Sequence, residues 1–590
     1  MAASLERESW QYKGIGASQE DATHSPSSKT ANSRFWNVLM KAAMIILTGI
    51  LLWVSYSILA NRIMLMMLAR VMLPGSHNCS HTSTKVPQYF QTYPELWAGP
   101  TATGRAPFLA QTNPVSFAAT ATFVPTNPLE TAVPVVGQNQ NESIFHLMGH
   151  LSPYFSNPNG FGVAEFPLPA GANISQVQML SRHGSRYPTT GSNVQDLGDK
   201  IAKYSGKFQA TGLLSFLNDW KYELGAEILV PRGRQELFES GINHYYQYAQ
   251  LYNPNSKIIV RTTTQDRMLK SSEYFMAGFF GLQWTNNATI EVIIEGTGFN
   301  NSLAGYNNCM NSNNHRNMGG RNATDEWVSI YLKDATARLQ VMITGFEWTI
   351  QDTYAAQTMC PYETVAYGYS AFCNLFTYDE FVGFEYAQDL YFAGSSAFQS
   401  PTGRSVGIGY VQEIVARLEN HTLGYSGSQI NTTLDNNTVT FPLNQSLYFD
   451  FSHDTNIMSI LTAFGFEQFN EFLPSTHHPG PHNLTVSHLE PFGCRLDIEV
   501  IKTPQPLGPD RVYLPGKEAT YLHFMLNQRT LPLGLNFPEC GDRIDGWCEL
   551  DVFLDVQKKS TALADYDYSC NGKYDAPAYG AITDGAPIRL

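Results

Sequence analysis

Apolar residues fall along this 590-residue chain in three different patterns. From Ala42 to Ala60 no residue is charged, and at 1.5 Å per residue such a run makes a helix of roughly 28 Å, close to the thickness of a bilayer's hydrocarbon core. From Pro74 to Gln140 apolar residues are scattered among Thr, Pro and Ala, a composition that resists a packed core and reads as a stem or arm. Beyond about residue 145, short apolar strands alternate with helical segments, which predicts an α/β domain with a central sheet flanked by helices.

Three strand-to-helix junctions stand out in that last region. Ile174 to Leu180 reads as a strand running into Ser181-Arg182-His183-Gly184-Ser185-Arg186-Tyr187-Pro188, where Gly and Pro turn the chain out of the sheet. Lys257 to Val260 reads as a second strand, followed by Arg261-Thr262-Thr263-Thr264-Gln265-Asp266-Arg267. The helix after it carries Met268, Ser272, Phe275, Met276 and Phe279 at spacings of three and four. Leu447 to Phe451 is the third strand, ended by Ser452-His453-Asp454-Thr455, with Ile457, Ile460, Leu461 and Phe464 on one face of the helix beyond. Ligands of open α/β sheets gather at the carboxyl ends of strands, so all three junctions are expected to face one pocket. Between the second and third junctions the pattern is mainly helical. Thr324 is expected to cap a helix whose stripe is Val328, Leu332, Ala335, Leu339 and Met342, and Val411, Ile414, Val415 and Leu418 mark another. A smaller helical domain inserted at roughly residues 300–440 follows from this.

Charge and polar motifs add location. With 37 Lys+Arg against 51 Asp+Glu the net charge is −14, which argues against a nucleic-acid binder and requires any anionic ligand to be held by a local cationic pocket. Basic residues lie on both sides of the apolar run (Lys29, Arg34 and Lys41; Arg62 and Arg70), so they barely orient it. Glycosylation acceptors do: Asn78, Asn141, Asn173, Asn287, Asn300, Asn322, Asn420, Asn431, Asn436, Asn444 and Asn483 all begin Asn-X-Ser/Thr beyond the run. All eight cysteines also follow it, none in a Cys-X-X-Cys pair, which suits an oxidising compartment. The expected layout is a cytosolic polar tail (1–35), a transmembrane signal anchor with its flank (36–73), a stem (74–145) and a catalytic domain (146–590). The chain is thus expected to be a single-pass type II membrane glycoprotein with a lumenal or extracellular catalytic part, or a protein secreted after cleavage near the span.

The chemistry lies at the junctions. In Arg182 to Pro188 a neutral His183 imidazole can attack phosphorus, while the Arg182 and Arg186 guanidiniums hold phosphoryl oxygens by forked hydrogen bonds. Gly184 is expected to let the backbone approach the ligand. His453 can serve as a further phosphoryl ligand, and Asp454, as a carboxylic acid kept partly neutral in acid solution, can protonate a leaving alkoxide. Arg267, in the first turn of its helix, completes a cationic cage, and Arg261 at the strand end is assigned to a structural ion pair. There is no His-Glu-X-X-His, no Gly-X-Ser-X-Gly and no Gly-Lys-Ser/Thr loop. His477, His478 and His482, among Pro479, Gly480 and Pro481, read as an exposed loop and not as a metal site.

On these three motifs the sequence resembles the histidine acid phosphatases, in the fungal branch that contains phytases, over roughly residues 150 to 590. The resemblance implies the histidine phosphatase fold, with a large α/β domain and a smaller helical one. It also implies a phosphohistidine on His183, a cage of Arg182, Arg186, Arg267 and His453, a proton from Asp454, and no metal or other cofactor. Substrates would be small phosphate monoesters, inositol phosphates among them, with no nucleic-acid partner. Disulfides Cys309–Cys570, Cys360–Cys373 and Cys540–Cys548 are implied as well. Two departures stand out. Family members often carry a cysteine shortly before the first motif as partner to the counterpart of Cys494, but here the only upstream cysteine is Cys79. Dedicated phytases place lysines just after the first motif, whereas Thr189 to Gly198 has none and Lys200 comes first. Broad phosphomonoester hydrolysis is therefore expected alongside phytate hydrolysis. A mutase-type phosphotransferase would suit the cytosol, against the sequons and cysteines. A catalytically inactive tethered glycoprotein would have no need of the intact cage and proton donor.

Overall fold

The computed structural model describes residues 134–139 and 142–589, so the expected tail, anchor and most of the stem lie outside the described residues. Among the described residues no helix is long and apolar enough to cross a membrane. Packing begins at the last stem residues, since Ile144 and Phe145 are already buried in the core.

In chain order the sheet strands are β1 (Asn173–Arg182), the short β2 (Gln209–Ala210), β3 (Ile258–Thr263), β4 (Ala288–Ile293), the short β5 (Ile343–Thr344), β6 (Leu447–Ser452), β7 (Arg495–Thr503), β8 (Ala519–Leu526), β9 (Arg529–Leu531) and β10 (Cys548–Glu549). The main sheet runs β10-β8-β7-β1-β6-β3-β4, with β9 on β8, and β2 pairs with β5 apart from it. β1, β6, β3 and β4 are mutually parallel, while β7, β8, β9 and β10 join antiparallel. Parallel strands are covered on both faces and read as continuous apolar runs, and every residue of β6 is buried, as are the last six of β1. Register aligns the parallel strands at one edge: Arg182 pairs with Ser452, Arg261 with Asp450, and Thr263 with Ile293. The carboxyl ends of all four strands therefore come out side by side.

Helices α1 (Asn193–Tyr204), α2 (Pro231–Tyr248) and α3 (Asp266–Phe280) follow β1, β2 and β3. α2 and α3 bury Leu237, Met268, Phe275, Met276 and Phe279 against Val177, Met179, Val260, Phe449 and Phe451, which share one sheet face by their period of two. The predicted stripe of α3 is therefore its core face.

The inserted helical part consists of α4 (Gly319–Tyr331), α5 (Lys333–Gln340), α6 (Ile350–Tyr367), α7 (Tyr378–Ser395) and α8 (Gly403–Glu419), and α9 (Asp454–Phe464) returns the chain to the sheet. Two expectations need correction here. Thr324 caps nothing: it lies inside α4, buried, with its hydroxyl donating to Ala387 O at 3.0 Å. α4 begins earlier, at Gly319, and a β-carbon on Gly320 would sit 2.3 Å from Tyr391 O of α7, so glycine there reflects helix contact and not a loop. The stripe from Val328 to Met342 is also split, since Leu332 leaves helical geometry between α4 and α5 (φ −93°, ψ 2°). The stripe survives that break because Val328, Leu332, Ala335 and Leu339 enter one core.

Cys309–Cys570, Cys360–Cys373 and Cys540–Cys548 are all bonded, as the resemblance implied. Cys494 is a free buried thiol. Its comparison with a cysteine before the first motif does not hold: antiparallel register sets Asn173 opposite Lys502 and Ser181 opposite Arg495, so Cys494 lies at the far end of β1 from its start. Cys79 is outside the described residues.

Candidate active site

The carboxyl ends of β1, β3 and β6 bring Arg182, His183, Arg186, Arg267, His453 and Asp454 to one place, but not Arg261. His183 directly follows β1, and His453 is the N-cap of α9 with Asp454 in its first turn. The His183 and His453 rings stand 5.8 Å apart between centroids. Arg267 lies in the first turn of α3, near enough to depress the His183 pKa together with Arg182, Arg186 and His453. Arg261 is not at the strand end but inside β3, two residues before its last, Thr263. It bonds Asp450 (2.8 Å) and Glu413 (2.5 Å) beside Arg417, which also bonds Asp450 (2.7 Å), the structural ion pair expected for it.

His183 is 1% exposed, and its Nδ1 lies 2.9 Å from Gly184 O. An Nδ1–H donating to that carbonyl leaves the lone pair on Nε2, the tautomer a nucleophile needs. Burial first, then the charges of Arg182, Arg186, Arg267 and His453, push its pKa well below the ordinary imidazole value. Both effects favour the neutral form of the ring.

The loop is held from behind by α2. Glu236, 5% exposed, accepts Ser185 N at 2.8 Å and Ser185 Oγ at 2.9 Å. A β-carbon on Gly184 would meet Gly233 O at 2.3 Å. Gly184 thus permits the loop to touch the α2 backbone, which is a different reason for glycine from close approach to a ligand.

Arg182 is fully buried over the Phe492 ring and donates to His150 O (2.5 Å), Glu490 O (2.6 Å) and Asp454 Oδ2 (2.5 Å). Arg186 donates to Tyr187 O (2.9 Å) and to the Tyr362 hydroxyl on α6, and Arg267 pairs with Glu227 Oε2 (2.7 Å). The Nε atoms of Arg182, Arg186 and Arg267 are buried with no hydrogen-bond partner among the described residues. Unspent donors on clustered guanidiniums are an anion site.

Asp454 departs from expectation in the substrate-free site. Burial would raise its pKa, but Arg182, His150, Arg186 and the Thr455 N–H together hold it far below the ordinary carboxylate value, so it is ionised. His150, Glu227, Glu295, Tyr362 and Glu490 also belong to the site and had no motif to announce them. His453 Nε2 lies 3.0 Å from Glu295 Oε2, and the Glu490 carboxyl, its pKa raised by burial, faces Cys494 Sγ at 3.2 Å. The His477–His482 loop is likewise less exposed than expected at one point, because His482 Nε2 is tucked 2.8 Å from Asp389 Oδ2. Among the described residues no His, Cys, Asp or Glu cluster is arranged to hold a metal.

Residues 173–527 match the family model described as histidine phosphatase superfamily, branch 2. The phytase A of Aspergillus fumigatus is 31% identical over 437 residues, covering 71% of this chain and 89% of that protein. The phytase A of Neurospora crassa is 30% identical over 504 residues, covering 75% and 95%. The crystal structure of the phytase from D. castellii shares the fold, with a TM-score of 0.59, 24% identity, and coverage of 74% of this chain and 89% of that one. The chain belongs to the histidine phosphatase superfamily, branch 2, in the part of it that holds the fungal phytases.

Proposed function

We propose that this enzyme hydrolyses phosphate monoesters in acid solution through a phosphohistidine on His183, with phytate as one substrate. The observation that carries the reading is the buried His183, its Nδ1 2.9 Å from Gly184 O, beside guanidiniums with unspent Nε donors. In the first step His183 Nε2 forms a bond to phosphorus as the ester P–O bond breaks, and Asp454 gives its proton to the departing alkoxide. In the second, Asp454 takes a proton from water, whose oxygen displaces His183 to release inorganic phosphate. The proton on Asp454 arrives with substrate: a phosphoryl dianion drawn onto Arg182 and Arg186 takes over the charges that keep the carboxylate ionised.

Phytate enters from the relatives named phytase A. This chain's own residues argue for breadth, since Lys200, the first lysine after the motif, is committed to Asp352 (2.5 Å) and Glu347 O (2.8 Å). Rapid acid quench with labelled substrate should trap phosphate on His183, and rates on phytate, glycerophosphate and nitrophenyl phosphate would rank the substrates. Full turnover in His183→Ala would end the reading.

The type II orientation is part of the same proposal. Asn322, Asn420, Asn436, Asn444 and Asn483 are exposed, and three disulfides suit a compartment outside the cytosol. Protease added to intact membranes should trim the N-terminal tail and spare the catalytic part, and the reverse result would overturn it.

A further inference from the structure

Glu295 stands two residues past the end of β4 and belongs to none of the three motifs, yet its carboxylate joins two of them. Its side chain is 3% exposed. Oε2 accepts Thr263 Oγ1 at 2.6 Å and lies 3.0 Å from His453 Nε2, while Oε1 accepts Gln265 Nε2 at 2.5 Å and the Tyr306 hydroxyl at 2.8 Å. The Glu295 backbone N–H bonds Thr264 Oγ1 at 3.0 Å. An ionised carboxylate offers about four lone-pair directions, and here four donors meet them. An amide in this place would set its own N–H groups against two donors.

Burial works against ionisation of Glu295, but the His453 charge, the hydrogen bonds from His453 and Thr263, and Arg267 bring its pKa to about 2. It is therefore an anion in mildly acid solution. The His453 ring makes no other hydrogen bond among the described residues, and it is bracketed by Tyr306, edge-on at 5.9 Å, and His183 at 5.8 Å. With Nε2 committed to Glu295, Nδ1 is the ring nitrogen left for a ligand.

We propose that Glu295 is the positioning residue for His453, accepting Nε2–H so that the ring turns Nδ1 to the phosphoryl group, to which the doubly protonated imidazolium donates its second N–H. The proposal rests on the phosphomonoesterase reading. Glu295 acts through His453 and never on the leaving group, so its loss has a signature different from that of the proton donor.

In full-length enzyme, Glu295→Gln should lower kcat/KM roughly 10- to 100-fold, equally for nitrophenyl phosphate and glycerophosphate, and raise the inhibition constant of inorganic phosphate about tenfold. In a His453→Ala background the same substitution should change neither quantity by more than about twofold, because the interaction it removes is already gone. Thr263→Val, a nearly isosteric change that removes one donor, should give a loss of about threefold that also vanishes in the His453→Ala background, and it serves if Glu295→Gln does not fold. Losses that multiply with His453→Ala, or an unchanged phosphate constant, would overturn the positioning role. Acid-quench trapping on the wild-type enzyme separates the two failures: absence of phosphohistidine defeats the phosphatase reading, whereas its presence with multiplying losses defeats only the role of Glu295.

Discussion

Arg182 Nη2 lies 2.5 Å from Asp454 Oδ2, so the arginine proposed to grip phosphate is also the counter-ion of the proposed proton donor. One charge thus serves two partners in turn. Phosphate drawn onto Arg182 leaves Asp454 less stabilised as an anion, and the carboxylate should take up a proton as the ligand binds. Calorimetry of inorganic phosphate binding near pH 5, in buffers of different ionisation enthalpy, should find more proton uptake in wild type than in Asp454→Asn. The difference should approach about one proton, and equal uptake would mean that Asp454 remains ionised in the complex.

The same residue predicts a dependence on leaving group. An alkoxide needs a proton to depart, whereas nitrophenolate leaves readily without one. Asp454→Asn should therefore cost roughly 10²- to 10⁴-fold in kcat on glycerophosphate but about tenfold or less on nitrophenyl phosphate. Matching losses on the two esters would remove Asp454 from the general-acid role.

Glu227 already holds the Arg267 guanidinium that the proposed cage would offer to a phosphoryl group. It holds Arg267 Nη1 at 2.7 Å and Thr190 N at 3.0 Å from a backbone at φ +69°, a left-handed conformation uncommon for a residue with a side chain. Its negative charge also faces an incoming phosphoryl dianion. Glu227→Gln keeps a hydrogen-bonding side chain of the same shape and removes that repulsion, so product phosphate should inhibit about two- to fivefold more tightly. Weaker inhibition would show instead that Glu227 serves to aim Arg267.

Much of this site was legible because its chemistry is local. Arg182, His183, Arg186, Arg267, His453 and Asp454 each lie within a few residues of a strand end, and a strand's apolar run followed by Gly, Pro or a polar helix start is a short-range signal. Their convergence was also inferable, because parallel strands put carboxyl ends on one edge. Glu295 escaped for the opposite reason: its role depends on β4 pairing with β3 at a register that brings Ile293 beside Thr263, a long-range fact with no motif attached. His150 and Tyr362 likewise reach the site from outside the three junctions, one before β1 and one from an inserted helix. Asp454 lies beside Arg182 and His150, but the low pKa this gives it was not legible, since it depends on Arg182 being spent on it.

The buried charges beneath the site give a prediction for stability. Glu291 on β4 pairs in register with Arg261, is 5% exposed, and neither carboxyl oxygen has a hydrogen-bond partner among the described residues. Burial raises its pKa to about 8, with Arg261 opposing the shift and Asp450 and Glu413 adding to it. In the unfolded chain this glutamate returns to its ordinary value of 4.5. Below that value both states hold the proton and stability is unaffected. As pH rises from there toward 8 the unfolded state sheds its proton while the folded state keeps it, so the fold loses stability across that window and no further above it. Glu291→Gln has no proton to lose and leaves the neighbouring ion pairs in place. Denaturant unfolding of wild type and Glu291→Gln should differ least near pH 4, with the variant's relative advantage widening to a few kcal/mol, on the order of the shift itself, by pH 8. A difference that stayed constant over that interval would mean that Glu291 is ionised in the folded protein and finds its partner among the Arg261 and Arg417 guanidiniums.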